Sequence, residues 1–212
     1  MRAILFDFDG VLVKSMEDHF EGWRQALLDY GIEMTPEELY MMEGQGVKVV
    51  ASQLSKKYNI PPDATPTIIQ KKQEIYDKIK TIQFYPNLLE VLNWAKSKEL
   101  LLAVVTGGLR ERIVQTLDSF GLLYYFQAIV TSDDVEETKP SPEPYKRAAE
   151  LLKVEPRDCI VIENAPLGIR SGKAAGMKVV AITTTLHSRH LKDADVVVGD
   201  FRELLEVLKK LY

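Results

Sequence analysis

The first ten residues, "MRAILFDFDG" (1–10), decide the fold: an apolar strand that ends on two carboxylates and a glycine. Side chains alternate across an extended strand, so Asp7 and Asp9 share one side while Phe6 and Phe8 take the other. Two like charges held together at a strand end are costly unless a cation or a lost proton relieves them. The residues therefore read as a metal or acid/base site, and equally as an ordinary Asp/Gly turn.

Further along, strand-like apolar runs recur at 2–7, 100–105, 127–131, 159–163, 178–182 and 195–198. Most are separated by stretches of helical periodicity, an alternation that predicts an α/β protein with a mainly parallel sheet covered by helices. More than ninety residues separate the first two strands, far more than a crossover needs. That interval reads as successive helices. Phe20, Trp23, Leu27 and Tyr30 mark one, stopped at Gly31. The next opens at Thr35 with Pro36 and a capping-box Glu38. Val47, Val50, Ala51, Leu54 and Tyr58 mark a third, and Ile68, Lys72, Ile75 and Ile79 a fourth, with Lys72 at the margin of its apolar stripe. Residues 15–83 are thus expected to form an inserted helical domain, and 1–14 with 84–212 the α/β core.

Composition narrows the functional class. The 212 residues are 46% hydrophobic and 27% charged with a net charge of −4, which fits a soluble globular protein. No basic tract invites nucleic acid, and no apolar run is long enough for a membrane span. The N-terminus enters a strand directly, so no secretion signal is expected. Cys159 is the single cysteine, which excludes an internal disulfide and fits a reducing, cytoplasmic setting.

Ligands of an open parallel sheet bind beyond the carboxyl ends of its strands, so the residues found there carry the chemistry. Thr106, Gly107 and Gly108 follow the second strand and lead into a helix, which suits a phosphate cradle or a turn that needs glycine. Lys139 sits in "TKPSPEPY", where three prolines limit the backbone; it reads as a solvated surface charge or as a held one. Glu163 and Asn164 follow "CIVI". Downstream, "GIRSGKA" fails as a phosphate-binding P-loop, having three residues between its glycines and Ala174 in place of the hydroxyl. Gly168 and its small neighbours read instead as close packing of a helix on the sheet. Converging at strand ends, these groups offer only oxygen donors to a cation, which favours a hard one, magnesium.

The ordered set "DFDGV", "VVTGG", "TKPSPEPY" and "VIENAPLGIRSGKAAGM" resembles the four motifs of the haloacid dehalogenase superfamily of phosphohydrolases, over nearly the whole chain. The insert resembles the cap of its beta-phosphoglucomutase and phosphoglycolate phosphatase branch. The resemblance implies a Rossmann-like three-layer core and a Mg2+-dependent phosphatase of a small phosphorylated metabolite. A phosphomutase is the alternative and a receiver-like signalling module the remote one. It makes Asp7 the nucleophile that becomes an aspartyl phosphate, and Asp9 the general acid and then base. Thr106, Gly107 and Lys139 would bind the phosphoryl group. Asp7, the Asp9 carbonyl and a residue of the fourth motif, Glu163 or Asn164, would hold magnesium. Where many members carry an acid pair, this chain has Glu163–Asn164, so either the metal binds less tightly or Glu163 does more. His19 and Lys48, in the insert, are candidates to reach substrate. A monomer or small homo-oligomer is expected.

Overall fold

Strand β1 (Ala3–Phe6) is buried on both faces and pairs in parallel with two neighbours, Ala3 lying opposite Leu101 on one side and Cys159 on the other. The computed structural model describes residues 1–212. After β1 the chain leaves the sheet through four helices, α1 (Met16–Leu28), α2 (Pro36–Tyr40), α3 (Val47–Lys57) and α4 (Thr65–Ile79). It returns at α5 (Leu88–Ser97) and continues through β2 (Leu101–Val105), α6 (Arg110–Ser119), β3 (Ala128–Val130), α7 (Glu143–Leu152), β4 (Cys159–Glu163), α8 (Pro166–Ala174), β5 (Lys178–Ile182), β6 (Val196–Val198) and α9 (Phe201–Leu211).

All six strands are parallel, in the order β3-β2-β1-β4-β5-β6. This is the Rossmann order, and its direction reverses between β1 and β4, the crevice where ligands of such sheets bind. A receiver-like module has a different strand order, so that alternative falls. Alternation along each strand separates two cores. Ala3, Leu5, Ala103 and Val105 join Tyr145 and Ala148 of α7 and Ile169 of α8 on one face. Ile4, Phe6, Leu102 and Val104 join α5, α6 and α9 on the other.

The inserted helices pack mainly on one another, with α1 against α4, and one apolar cluster runs from the sheet through Met16 and Trp23 into them. Two chain crossings tie the insert to the core: the Lys14 N–H donates to the Gln83 carbonyl (2.8 Å), and Val13 pairs antiparallel with Phe84. The α2 capping box forms as the sequence predicts, with Thr35 and Glu38 satisfying each other's main-chain N–H. Helix α1 ends two residues before Tyr30, which lies exposed on the turn, because Gly31 (φ 67°) closes the end. Lys72 is not marginal: it is buried between α1 and α4.

Candidate active site

Both chain reversals that flank the switch point deliver acids to one place. Asp7 follows β1 and is buried; its Oδ1 accepts from Lys139 Nζ at 2.5 Å, while Oδ2 is buried with no partner. Lys139 spends all three donors, on Asp7, the Val105 carbonyl (2.9 Å) and Glu163 Oε1 (2.6 Å). Of the two readings open in the sequence, the structure therefore shows a held, buried charge. Burial drives the Asp7 carboxyl up, to about 8, against the pull of the Lys139 ammonium. Burial works against the ammonium too, yet Asp7 and Glu163 more than offset it and Lys139 is raised.

Glu163, at the end of β4, has no oxygen to spare. Oε1 accepts from Lys139 and from the Tyr145 hydroxyl (2.8 Å), and Oε2 from the Asn164 N–H (3.0 Å) and the Ala165 N–H (3.4 Å). In this arrangement it is a holder of Lys139, and Asn164 is the fourth-motif residue that keeps an open oxygen. Gly168 serves this carboxylate: a Cβ there would lie 1.8 Å from Oε1, so the glycine makes room for a charge, not only for helix packing. Asn164 is different. Its Nδ2 donates to Glu43 Oε1 and to Thr185 Oγ1, both at 2.9 Å, and its Oδ1 is buried without a partner. Glu43, in the loop between α2 and α3, is itself 8% exposed with a partnerless Oε2. Burial first, then Asp7, pushes its carboxyl well above the usual range.

Asp9 is not the carboxyl free to exchange protons that the motif suggests. Arg112, in the first turn of α6, grips both oxygens, Ser15 Oγ donates to Oδ1 at 2.6 Å, and His19 Nε2 lies 3.4 Å from Oδ1. Burial disfavours the charge, but Arg112 and His19 more than offset it and hold the carboxyl well below the usual range. His19 stacks on Tyr76 with ring centroids 4.1 Å apart, and its Nδ1 meets Lys72 Nζ at 3.0 Å. Burial and then Lys72 lower His19 to about 4, and burial and then Arg112 lower Lys72 to about 8. Arg112 and Glu43 are not among the residues the sequence singles out, and Lys72 is noted there only as part of a helical stripe and not as a site residue. Arg112 leaves one signal: Arg110 and Arg112 both occupy the positive end of α6, where cations are disfavoured unless carboxylates receive them. Asp134 receives Arg110 and Asp9 receives Arg112.

Thr106 Oγ1 accepts from the Gly108 N–H at 3.1 Å, while the N–H groups of Asp9 and Gly107 have no acceptor in the protein. These donors open on a cavity of about 180 Å³ that also holds Asp7, Asp9, His19 and Ser132. The insert supplies its apolar wall with Met16, Trp23, Leu39, Met42, Val47 and Val50. Lys48 lies exposed on α3, outside this cavity, which corrects its expected reach to substrate.

A hard cation fits these residues. Asp7 Oδ2 and Asn164 Oδ1 are buried oxygens without donors, and the Asp9 carbonyl accepts no main-chain hydrogen bond. No three His, Cys, Asp or Glu side chains meet at ligating distances, so any such set must draw on the amide and the carbonyl. Asp7, Glu43 and Glu163 offer three carboxylates to the one ammonium of Lys139, an imbalance that a divalent charge would relieve.

Residues 4–182 match the family described as haloacid dehalogenase-like hydrolase. The chain belongs to the haloacid dehalogenase-like hydrolases. Validoxylamine A 7'-phosphate phosphatase of Streptomyces hygroscopicus subsp. limoneus is 30% identical over 204 residues, 96% of this chain and 95% of that one. Phosphoglycolate phosphatase of Aquifex aeolicus is 32% identical over 184 residues, 84% of this chain and 83% of that one. Among solved structures, beta-phosphoglucomutase from Clostridium difficile shares the hydrolase fold, with a TM-score of 0.87 over 99% of this chain and 96% of that one at 23% identity. Like its phosphatase relatives within the haloacid dehalogenase-like hydrolases, the chain is a phosphoric monoester hydrolase.

Proposed function

We infer that this hydrolase is a Mg2+-dependent phosphatase of a small phosphorylated metabolite, of the phosphoglycolate or sugar phosphate type, working in the cytoplasm through an aspartyl phosphate. The observation that carries this reading is Asp7: a buried carboxylate with one oxygen held by Lys139 and the other free, lining a cavity that residues with unused N–H donors also line. Bound magnesium would supply charge neutralisation and alignment of carboxylate and phosphate, held by Asp7, Asn164 and the Asp9 carbonyl.

The chain's own residues divide the remaining work. Asp7 attacks phosphorus as the ester P–O bond breaks, with the Gly107 N–H and the Thr106 hydroxyl holding the phosphoryl oxygens, while Lys139, its three donors already placed, steadies Asp7 and offsets the charge. Asp9 delivers a proton to the leaving alkoxide, then takes one from the water that attacks the aspartyl phosphate. In the arrangement seen, Asp9 is ionised against Arg112, so its first role requires that contact to loosen when substrate enters. The helical insert, 15–83, acts as a cap: its loop 43–46 seats on Lys139 and Gly107 and keeps bulk water from the first transfer.

A screen for phosphate release over a panel of phosphorylated metabolites tests the reading. At least one small phosphomonoester should be hydrolysed, and D7N should lose turnover by about 10³-fold or more with its circular dichroism intact. Isomerisation of a sugar phosphate without phosphate release would move the protein to the phosphomutases, and full activity in D7N would overturn the aspartyl-phosphate route.

A further inference from the structure

Asn164 stands where a carboxylate is common in this family, and the structure shows where the missing charge lies. Its Nδ2 is within 2.9 Å of Glu43 Oε1. The amide nitrogen must face Glu43, because the opposite orientation would set an oxygen against a carboxylate. Asn164 Oδ1 is therefore turned away from Glu43, buried and without a donor, like Asp7 Oδ2 and Glu43 Oε2. An aspartate at 164 would place two carboxylates in contact. Asparagine is the side chain that tolerates Glu43 as a neighbour and still offers an oxygen.

The surroundings are built for that contact. Gly10 (φ 77°) passes so close that a Cβ would lie 2.1 Å from Asn164 Nδ2 and 2.9 Å from Glu43 Oε1. Next to Glu43, a Cβ on Gly44 (φ 93°) would fall 2.8 Å from Lys139 Cδ, so the loop rests on the lysine that holds Asp7. A buried carboxylate oxygen without a donor is costly, and the loop could have left Glu43 in solvent.

We propose that Glu43, carried by the inserted helices, is a ligand of the divalent cation together with Asp7 and Asn164, so that cation binding and closure of the insert over the core are one linked equilibrium. The proposal rests on the cation-dependent reading above. Linkage is reciprocal: a cation that gains a ligand only in the closed form must favour that form by the same factor.

The test uses the full chain without substrate, with Mn2+ as a paramagnetic probe for binding and small-angle X-ray scattering for closure. Wild type is expected to bind one Mn2+ and to contract on adding it. E43Q should bind at least tenfold more weakly and should not contract. The double variant E43Q/N164D returns the charge to the core, so binding should recover while contraction stays absent. E43Q with wild-type affinity and contraction would overturn the proposal. D7N separates this from the parent reading. If D7N loses Mn2+ while E43Q keeps it, the cation site stands and Glu43 is not part of it. If no form binds Mn2+, the cation reading fails and the proposal with it.

Discussion

Arg112 ties Asp9, the proposed acid/base residue, to the core domain and not to the insert. Its guanidinium grips Asp9 and lies 5.4 Å over the Phe8 ring, so removing it leaves Asp9 with Ser15 and a neutral His19. Replacing Arg112 by Gln keeps a donor but deletes the charge that holds Asp9 low. The Asp9 carboxyl should then rise towards the ordinary range, and the acid limb of the kcat profile should move to higher pH. Loss of the partly buried ion pair should destabilise the fold by about 1–2 kcal/mol, read from urea denaturation. An unmoved acid limb would show that another group titrates there. That Asp7 and Asp9 come together was legible in "DFDG", and both line the candidate site. Their unlike treatment was not, because Arg112 is 103 residues from Asp9 and meets it only after β2 and α6 are in place.

At the scale of elements, the strands were legible to within a residue or two because each is a continuous apolar run, and the central ones are buried on both faces. Periodicity also placed α3 and α4, but it could not distinguish a lysine that leaves the apolar stripe from one buried in it. Lys72 lies one turn from Ile68 and from Tyr76, and it is the face of α1 bearing His19 that encloses it. This packing has a pH consequence. His19 binds a proton at about 4 in the folded protein against 6.5 ordinarily, so between these values the unfolded chain holds more protons. The folded state therefore loses stability as pH falls from 6.5 to 4, by about 3 kcal/mol at about 1.36 kcal/mol per unit. H19Q should flatten that segment of the stability curve, measured by urea denaturation at several pH values. A second prediction concerns the loops between elements. A Cβ at Gly107 would stand 2.7 Å from the Gly44 carbonyl oxygen and 2.9 Å from that of Gln45, both main-chain atoms. G107A should thus hold the insert off its seat and lower kcat/KM by about tenfold, about 1.4 kcal/mol, without unfolding the core.

Across the whole molecule, two of the regions where the insert meets the core are unlike in kind. Inside, Glu43 and Gly44 press on Asn164 and Lys139, away from solvent. At the rim, Glu37 at the start of α2 reaches Arg189 at 3.2 Å and His190 at 3.1 Å, with Glu37 and Arg189 more than half exposed. Exposed pairs of this kind contribute about 0.2–1 kcal/mol, so E37Q should shift the closed-to-open ratio by no more than about fivefold. Screening gives the rim a second signature. Separated surface charges weaken as the Debye length falls to about 3 Å at 1 M salt, whereas the buried region is little affected. High salt should therefore expand wild type slightly in small-angle scattering and leave E37Q, already without the rim charge, unchanged. If E37Q expands with salt as much as wild type, the rim pair contributes nothing to closure, and the buried contacts hold the two halves together without it.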